Sequence, residues 1–185
     1  MLHLNSFEDD ELRSLIPKFT ERGMDLDLQR MHMALKAMGE PCKSIPAIQI
    51  AGTNGKGSIA SFLQSSLKAL NIKTGITTSP HLVSWRERIS TDGKWISSSE
   101  FRTELLHMKS IAKRYRLTTF ELIIATALNH FSDQQVELIV LEVGLGGRLD
   151  ATTAHPSRPI IAMGGIGLDH CEHLGNNLEQ ITKEK

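Results

Sequence analysis

The sequence predicts an α/β fold in which a parallel sheet is flanked by helices on both sides. Short apolar runs alternate with helical patterns along the chain, an order typical of βαβ units. One run, residues 136–143, is nearly continuous apolar sequence, as expected for a parallel strand buried on both faces. A glycine-rich segment with a lysine, residues 52–58, follows another run and leads directly into a helical pattern. These three observations predict a sheet of the phosphate-loop type.

Two predicted helices precede the sheet. Ser6 followed by Asp9 indicates a helix start, and Pro17 ends that segment. The next helix has an apolar stripe on one face and stops before Gly39 and Pro41. The residues of this stripe, which we expect in the core, are Met24, Leu28, Met31, Leu35 and Met38.

Strands and helices then alternate to the end of the chain. The predicted strands are residues 48–51, 74–78, 136–143 and 159–163. The predicted helices are residues 57–70, 98–116 and 119–132, and residues 97–100 cap the second of these. Ligands bind beyond the carboxyl ends of parallel strands, so we expect chemistry in the loops after Ala51, Thr78, Glu142 and Met163.

The composition is that of an ordinary globular domain, with 185 residues of which 40% are hydrophobic and 23% charged. The 21 basic and 21 acidic side chains cancel, which leaves no global attraction for nucleic acid or for an anionic membrane. The two cysteines lie far apart and form no disulfide framework, and no apolar run approaches the ~20 residues of a membrane helix. We therefore expect a cytoplasmic protein without nucleic-acid or membrane partners.

Residues 52–58, with the sequence GTNGKGS, are predicted to form a phosphate cradle. Glycines let several backbone N–H groups point at one anion, the helix N-terminus adds partial positive charge, and Lys56 adds a full charge. The segment departs from the common phosphate-loop pattern, because Ile50 replaces the first glycine and Gly57 takes the usual hydroxyl position. The alternative is a glycine-rich turn with a solvated lysine.

Polar side chains at other strand ends are further candidates. Ser79 has a hydroxyl that can ligate Mg²⁺ near a phosphate, and Arg86 and Arg88 can hold an anionic substrate, although the same residues also suit a turn and a charged surface. Glu142 ends the most apolar strand, where the metal-binding acids of such enzymes lie. His170 is either a contact to Mg²⁺ or phosphate or a structural residue of its loop.

Five motifs occur in a fixed order along the chain. They are residues 52–58, residues 78–82 with 86–89, residues 119–121, residues 142–152 and residues 167–170. In this combination the chain resembles the N-terminal part of folylpolyglutamate synthase/dihydrofolate synthase, within the Mur ligase superfamily, from about Met24 to its last residue. Gly57 favours the folate enzymes over the cell-wall Mur ligases, which more often have a hydroxyl residue there.

The resemblance implies an ATP- and Mg²⁺-dependent amide ligase. ATP phosphorylates the carboxylate of dihydropteroate or of a folate, and the amine of L-glutamate then attacks the acyl phosphate. The implied ATP-binding residues are Gly52, Thr53, Asn54, Gly55, Lys56, Gly57 and Ser58. The implied magnesium-binding positions are Ser79, Glu142, His170 and Lys185, the last matching a lysine that is often carbamylated. Catalytic roles are implied for Lys56, His170 and Lys185.

The resemblance also implies a pterin site. Phe120 and Asp150 match positions near this substrate, Arg86 is predicted to bind substrate as well, and residues 23–31 match a substrate loop. Thr153 stands where the family usually has asparagine, and Gly164 and Gly165 replace its usual Thr-Ser pair.

In domain terms, residues 1–185 correspond to an incomplete N-terminal ATP-binding domain with a Mur ligase-like sheet, ending in a helical pattern. The family's C-terminal Rossmann-like domain, which completes the adenine and glutamate sites, is absent from the match, so we expect little turnover from this part alone. A monomer is implied. Two alternatives stay open, a Mur-type ligase for a cell-wall precursor and a non-catalytic nucleotide-binding module. The sequence does not separate dihydrofolate synthase from folylpolyglutamate synthase activity.

Overall fold

The computed structural model describes residues 6–16 and 26–185, and within these ranges it has six strands and seven α-helices. The strands are β1 (Ala47–Ala51), β2 (Thr74–Thr77), β3 (Ile89–Thr91), β4 (Lys94–Trp95), β5 (Leu138–Glu142) and β6 (Ile160–Met163). The helices are α1 (Ser6–Leu15), α2 (Leu28–Ala37), α3 (Lys56–Ala69), α4 (Ser98–Tyr115), α5 (Thr119–Asp133), α6 (Cys171–Leu174) and α7 (Leu178–Glu184). Pro17, Met24 and the first part of the predicted substrate loop, residues 23–25, lie outside the described residues.

The strands form one sheet in the order β4-β3-β2-β5-β1-β6. Strands β2, β5, β1 and β6 are mutually parallel, which confirms the four predicted strands and the α/β class. The sheet is nevertheless mixed, because β3 and β4 add an antiparallel hairpin at one edge. The turn of this hairpin is Asp92–Gly93, both with positive φ (51° and 76°), as a tight hairpin turn requires. The sequence analysis missed the hairpin because its strands are only three and two residues long.

Two apolar layers cover the sheet. On one face, α1, α2, α4 and α5 enclose a large cluster that includes Phe101, Phe131 and Ile139. On the other face, α3 packs through Ala60 on a smaller cluster that includes Ile50. Of the predicted stripe on α2, Met31 and Leu35 are buried and Leu28 and Met38 pack on the larger cluster, which confirms its core position for the described members.

Capping residues set where the sheet-covering helices begin. Ser97 and Glu100 form a reciprocal capping box at the start of α4, as predicted, and Thr118 and Glu121 form another at the start of α5. No helix within residues 6–16 and 26–185 combines the length and the apolar composition that crossing a bilayer requires.

Strand β6 forms the other edge of the sheet and is largely exposed. Ile160, Ile161 and Met163 have 54%, 60% and 47% of their surface accessible. Consecutive strand residues point to opposite faces, so apolar surface is open on both faces of this edge.

Gly75 of β2 marks a place where the sheet tolerates no side chain. A Cβ there would lie 2.6 Å from ring carbons of the buried Phe131. We expect Gly75→Ala to lower the free energy of unfolding by about 1–3 kcal/mol, because the ring must leave its packed position. Urea denaturation measures the change. Gly165→Ala is the matched control, since its Cβ would meet nothing within 4 Å; equal losses in the two variants would contradict the packing explanation.

Candidate active site

Residues 52–55 connect the end of β1 to the first turn of α3. Gly52 and Gly55 have φ values of 135° and 85°, in the region that favours glycine. Gly55 is the N-cap of α3 and makes no side-chain capping bond. The first N–H groups of a helix have no partner within it, so this end of α3 offers uncapped donors and the positive end of the helix dipole to an anion.

The loop after β6 is tied directly to this segment. The N–H of Thr53 donates to the carbonyl of Gly165 at 2.7 Å. The hydroxyl of Thr53 donates to the carbonyl of Gly167 at 3.1 Å and accepts from the N–H of Gly167 at 3.0 Å. A Cβ on Gly52 would lie 3.0 Å from the Cα of Gly164. The two loops therefore form one packed unit that depends on the absence of side chains.

Two ammonium groups converge on one loop carbonyl. Lys56 Nζ lies 3.1 Å and Lys185 Nζ 2.9 Å from the carbonyl oxygen of Gly52. Burial and the charge of Lys56 lower the pKa of Lys185, while Asp169 opposes the shift. Two cations at one oxygen repel each other, so an anion placed between them would be stabilised strongly.

The last turn of α7 brings Lys185 to this position. Arg148 forms a two-pronged ion pair with Glu184, with distances of 3.2 and 3.0 Å, and its N–H donates to the Glu184 carbonyl at 2.9 Å. A Cβ on Gly147 would lie 2.5 Å from the carbonyl oxygen of Lys185. The glycine is required here because the backbone of the helix end lies against it.

Glu142 ends β5 beside the loop and is 4% exposed. Its Oε2 accepts from the backbone N–H of Ser79 at 2.9 Å. A Cβ on Gly57 would lie 3.7 Å from Glu142 Oε1, so the carboxylate lies against the first turn of α3. Burial raises the pKa of Glu142, and the Ser79 N–H and the charge of Lys56 partly oppose this. Two predicted magnesium ligands, Ser79 and Glu142, are thus in contact.

His170 follows β6 in the chain. It precedes α6 in a left-handed conformation, with φ of 46°. Its ring nitrogens lie 3.7 Å from Asp169 Oδ2 and 3.8 Å from Glu172 Oε1. Within residues 6–16 and 26–185, no three His, Cys, Asp or Glu side chains come together as a metal site.

Asp150 is fully buried and accepts hydrogen bonds from the backbone around it. Its Oδ2 accepts from the N–H groups of Gly144 and Leu145 at 3.0 Å each. Its Oδ1 accepts from the N–H and the hydroxyl of Thr152 at 3.0 and 2.6 Å. Burial raises the pKa of Asp150 against these four hydrogen bonds. The side chain fixes the glycine segment that follows β5, and a direct contact with a pterin stays a prediction.

Phe120 and Arg86 occupy different surroundings. The ring of Phe120 lies against Gly144, where a Cβ would be 2.6 Å from Phe120 Cζ. The Nε of Arg86 donates to the carbonyl of Ile96 at 2.7 Å, which ties this arginine to the chain after β4. Phe120 therefore adjoins the glycine segment at the site, whereas Arg86 has a structural contact that its motif did not reveal.

A buried polar network behind the site was missed from the sequence. Gln49, in the middle of β1, donates to the hydroxyls of Thr152 and Thr153 at 2.9 and 2.8 Å, and Arg158 Nη1 donates to Gln49 Oε1 at 2.5 Å. The feature of the sequence that could have indicated this network is the single glutamine within the apolar run of residues 47–51.

Comparisons with known proteins agree with the predicted resemblance. No protein-family model matches the chain. A probable dihydrofolate synthetase of Schizosaccharomyces pombe is 45% identical over 164 residues, which cover 88% of this chain and 39% of that protein. The structure of Escherichia coli FolC in complex with DHPP and ADP matches with a TM-score of 0.84 and 33% identity, over 96% of this chain and 42% of that chain.

A further solved structure, a bifunctional folylpolyglutamate synthase/dihydrofolate synthase with Mn, AMPPNP and L-glutamate bound, matches with a TM-score of 0.77 and 33% identity, over 89% of this chain and 40% of that chain. The chain spans about two fifths of the length of the curated relatives it matches. These matches confirm the resemblance to dihydrofolate synthases and folylpolyglutamate synthases and the fold.

Asp150→Asn tests whether this carboxylate organises the glycine segment. In the variant, an amide NH₂ replaces one of the two carboxylate oxygens of residue 150. The two donors that now bond to that oxygen would be left without an acceptor. We expect the free energy of unfolding to fall by about 2–4 kcal/mol. Chemical denaturation compares this variant with Asp10→Asn, whose side chain is exposed and should have little effect; similar stabilities for the two would contradict the assigned role.

Glu142→Gln tests the buried charge. Burial raises the pKa of Glu142 in the folded chain, so deprotonation costs more free energy there than in the unfolded chain. The contribution of Glu142 to the free energy of unfolding therefore falls as pH rises from its pKa in the unfolded chain to its pKa in the folded chain. We measure both proteins in EDTA and take the melting temperature of the variant minus that of the unchanged chain. We expect this difference to increase from roughly pH 4 to pH 7. A difference that is constant or shrinks over this range would contradict a raised pKa.

Proposed function

We propose that this chain supplies the ATP-binding part of a ligase that joins L-glutamate to dihydropteroate or to a folate. The observation that carries the proposal is the convergence of Lys56 and Lys185 on the glycine-rich segment, beside the uncapped end of α3. The similarity to folate ligases over most of the chain supports it.

Lys56 and the N–H groups of the first turn of α3 are proposed to bind the ATP phosphates. Lys56 now donates to the carbonyls of Gly52 and Thr53, at 3.1 and 3.2 Å. A phosphate would give this ammonium a charged acceptor in place of two neutral carbonyls, and charge-assisted hydrogen bonds are the stronger ones. Lys185, as long as it is not carbamylated, would add a second positive charge at the same point.

Magnesium is proposed to bind at Glu142 and Ser79, which are in contact with each other, with His170 and Lys185 as the other predicted ligands. The donor set fits the cation, since Mg²⁺ is commonly held by one or two carboxylates together with substrate phosphates and water. When bound, Mg²⁺ supplies charge neutralisation and alignment for the transferred phosphoryl group. Lys185 corresponds to the family's carbamylated lysine, which would turn a cation at this site into an anionic ligand.

The reaction needs positioning and charge neutralisation rather than a protein nucleophile. A carboxylate oxygen of the acceptor attacks the γ-phosphorus of ATP, and ADP leaves. The amine of L-glutamate then attacks the acyl carbon, phosphate leaves, and the amine loses a proton. Lys56 and the loop N–H groups are proposed to stabilise the negative charge on the transferred phosphoryl group.

The acceptor is proposed to lie along the glycine segment after β5. Phe120 borders this segment through Gly144 and can stack on an aromatic ring, while Asp150 holds the N–H groups of Gly144 and Leu145 in place. The glutamate site is proposed to belong to the part of the relatives that this chain does not match. We place the reaction in the cytoplasm and propose a monomer.

Calorimetric titration of Mg·ATP tests the phosphate-binding role. We expect Lys56→Met to weaken binding by about 1.5–3 kcal/mol, or roughly 10- to 150-fold, because a charge-assisted contact is lost. Lys68→Met, at an exposed position near the other end of α3, should bind as the unchanged chain does. Equal affinity in all three proteins would refute the assignment of Lys56.

A second titration distinguishes the acceptors. The folate assignment is supported if dihydropteroate binds in the presence of Mg·ATP and if Phe120→Ala weakens this binding. Binding of a UDP-muramyl precursor instead would favour a cell-wall ligase. Binding of ATP with neither acceptor would favour a nucleotide-binding module, and each of these two results would overturn the folate assignment.

A further inference from the structure

A cavity lies at the amino ends of the parallel strands, opposite to the carboxyl ends where residues 52–58 lie. It has a volume of about 410 Å³ and lies between α2 and residues 153–158. These residues precede β6, and the N–H of Ala47 at the start of β1 donates to the Ser157 carbonyl at 2.8 Å, which places the cavity at the amino ends of these two parallel strands. Its volume suits a small organic molecule.

The cavity combines apolar walls with positive charge. Its lining includes Leu28, Leu35 and Pro156 on the apolar side and His32, Glu40, Lys43 and Arg158 on the polar side. Lys43 is paired with Glu40 at 2.6 Å, so it is already neutralised. Arg158 has no carboxylate within ion-pairing distance among the described residues, since the recorded acceptors of its guanidinium are neutral oxygens.

Arg158 is held rigidly and partly desolvated. Its Nε donates to the carbonyl of His155 at 2.8 Å, and its Nη1 donates to Gln49 Oε1 and, at 3.3 Å, to the hydroxyl of Thr153. Burial lowers its pKa, although an arginine remains charged at neutral pH. A fixed guanidinium that lacks an anion, at the wall of an apolar cavity, matches a carboxylate attached to an apolar body.

The same arginine is connected to the candidate active site by buried hydrogen bonds. Gln49 accepts from Arg158 and donates to the hydroxyl of Thr152, which in turn donates to Asp150 Oδ1. Asp150 Oδ2 holds the N–H groups of Gly144 and Leu145. Each donor in this chain has a defined acceptor, so a shift of the guanidinium must be accommodated along it.

We propose that this cavity is a second ligand site, which binds a small organic carboxylate through Arg158. Binding there changes the conformation of the glycine segment after β5, which includes Gly144 and Leu145. The apolar part of the ligand packs on Leu28, Leu35 and Pro156. The site is separate from the phosphate loop and does not depend on the proposed ligase activity.

Nuclear magnetic resonance titration of the 185-residue chain tests this site with benzoate as the probe. Benzamide has the same ring without the charge, and inorganic phosphate has charge without an apolar body. We expect benzoate to shift the amide resonances of His32 and Ala154 in the lining, and also those of Gly144 and Leu145, which do not line the cavity. Benzamide and phosphate should each bind at least about tenfold more weakly.

Two variants complete the test. Arg158→Met should abolish benzoate binding, and Arg158→Lys, which keeps the charge but not the planar fork, should weaken it several-fold. Arg114→Met, at an exposed position on α4, is the control and should leave binding unchanged.

Should Arg158→Met not fold, the comparison of ligands on the unchanged chain decides. Equal binding of benzoate and benzamide would overturn the role of the charge, and phosphate binding as tight as benzoate would overturn the organic carboxylate. Benzoate shifts centred on residues 52–58 would place the anion at the other site. Binding without shifts at Gly144 and Leu145 would overturn the transmission.

Discussion

The architecture of the site depends on the close approach of two backbone segments, the glycine-rich loop after β1 and the loop after β6. Three glycines and one threonine make this approach possible, because Gly52 and Gly164 leave no room for side chains and Thr53 exchanges two hydrogen bonds with Gly167. The contact fixes the position of the loop that leads to His170. A side chain at either glycine would force the two segments apart and shift the groups that they carry.

Charge is concentrated at this junction before any ligand binds. Lys56 and Lys185 share one carbonyl oxygen, and Glu142 is buried next to them. Burying charged groups costs free energy, but groups that are already in position need little reorganisation to bind an anion and a cation. The Arg148–Glu184 ion pair supports the helix end that carries Lys185, and the Ser79 N–H holds the carboxylate of Glu142.

The sequence was sufficient to predict the parts of the molecule that local patterns determine. The four parallel strands follow from apolar runs, the start of α4 from its capping residues, and the glycine-rich loop before α3 from the glycines around Lys56. Contacts between distant segments were not predictable in this way. The network through Gln49 connects this glutamine, hidden within an apolar run, to Thr152 and Arg158, which lie more than 100 positions away from it. Arg86 shows the converse, since its motif suggested a ligand while its Nε is used by the Ile96 carbonyl.

The exposed edge strand β6 has a consequence for the behaviour of the chain in solution. Apolar side chains are open on both faces of that strand, and the chain has a formal net charge of zero with an isoelectric point near 7.1. Near neutral pH, long-range electrostatic repulsion between molecules is therefore minimal just where a short-range attractive surface is available. We therefore expect these 185 residues on their own to self-associate most readily near pH 7 and less readily well away from it.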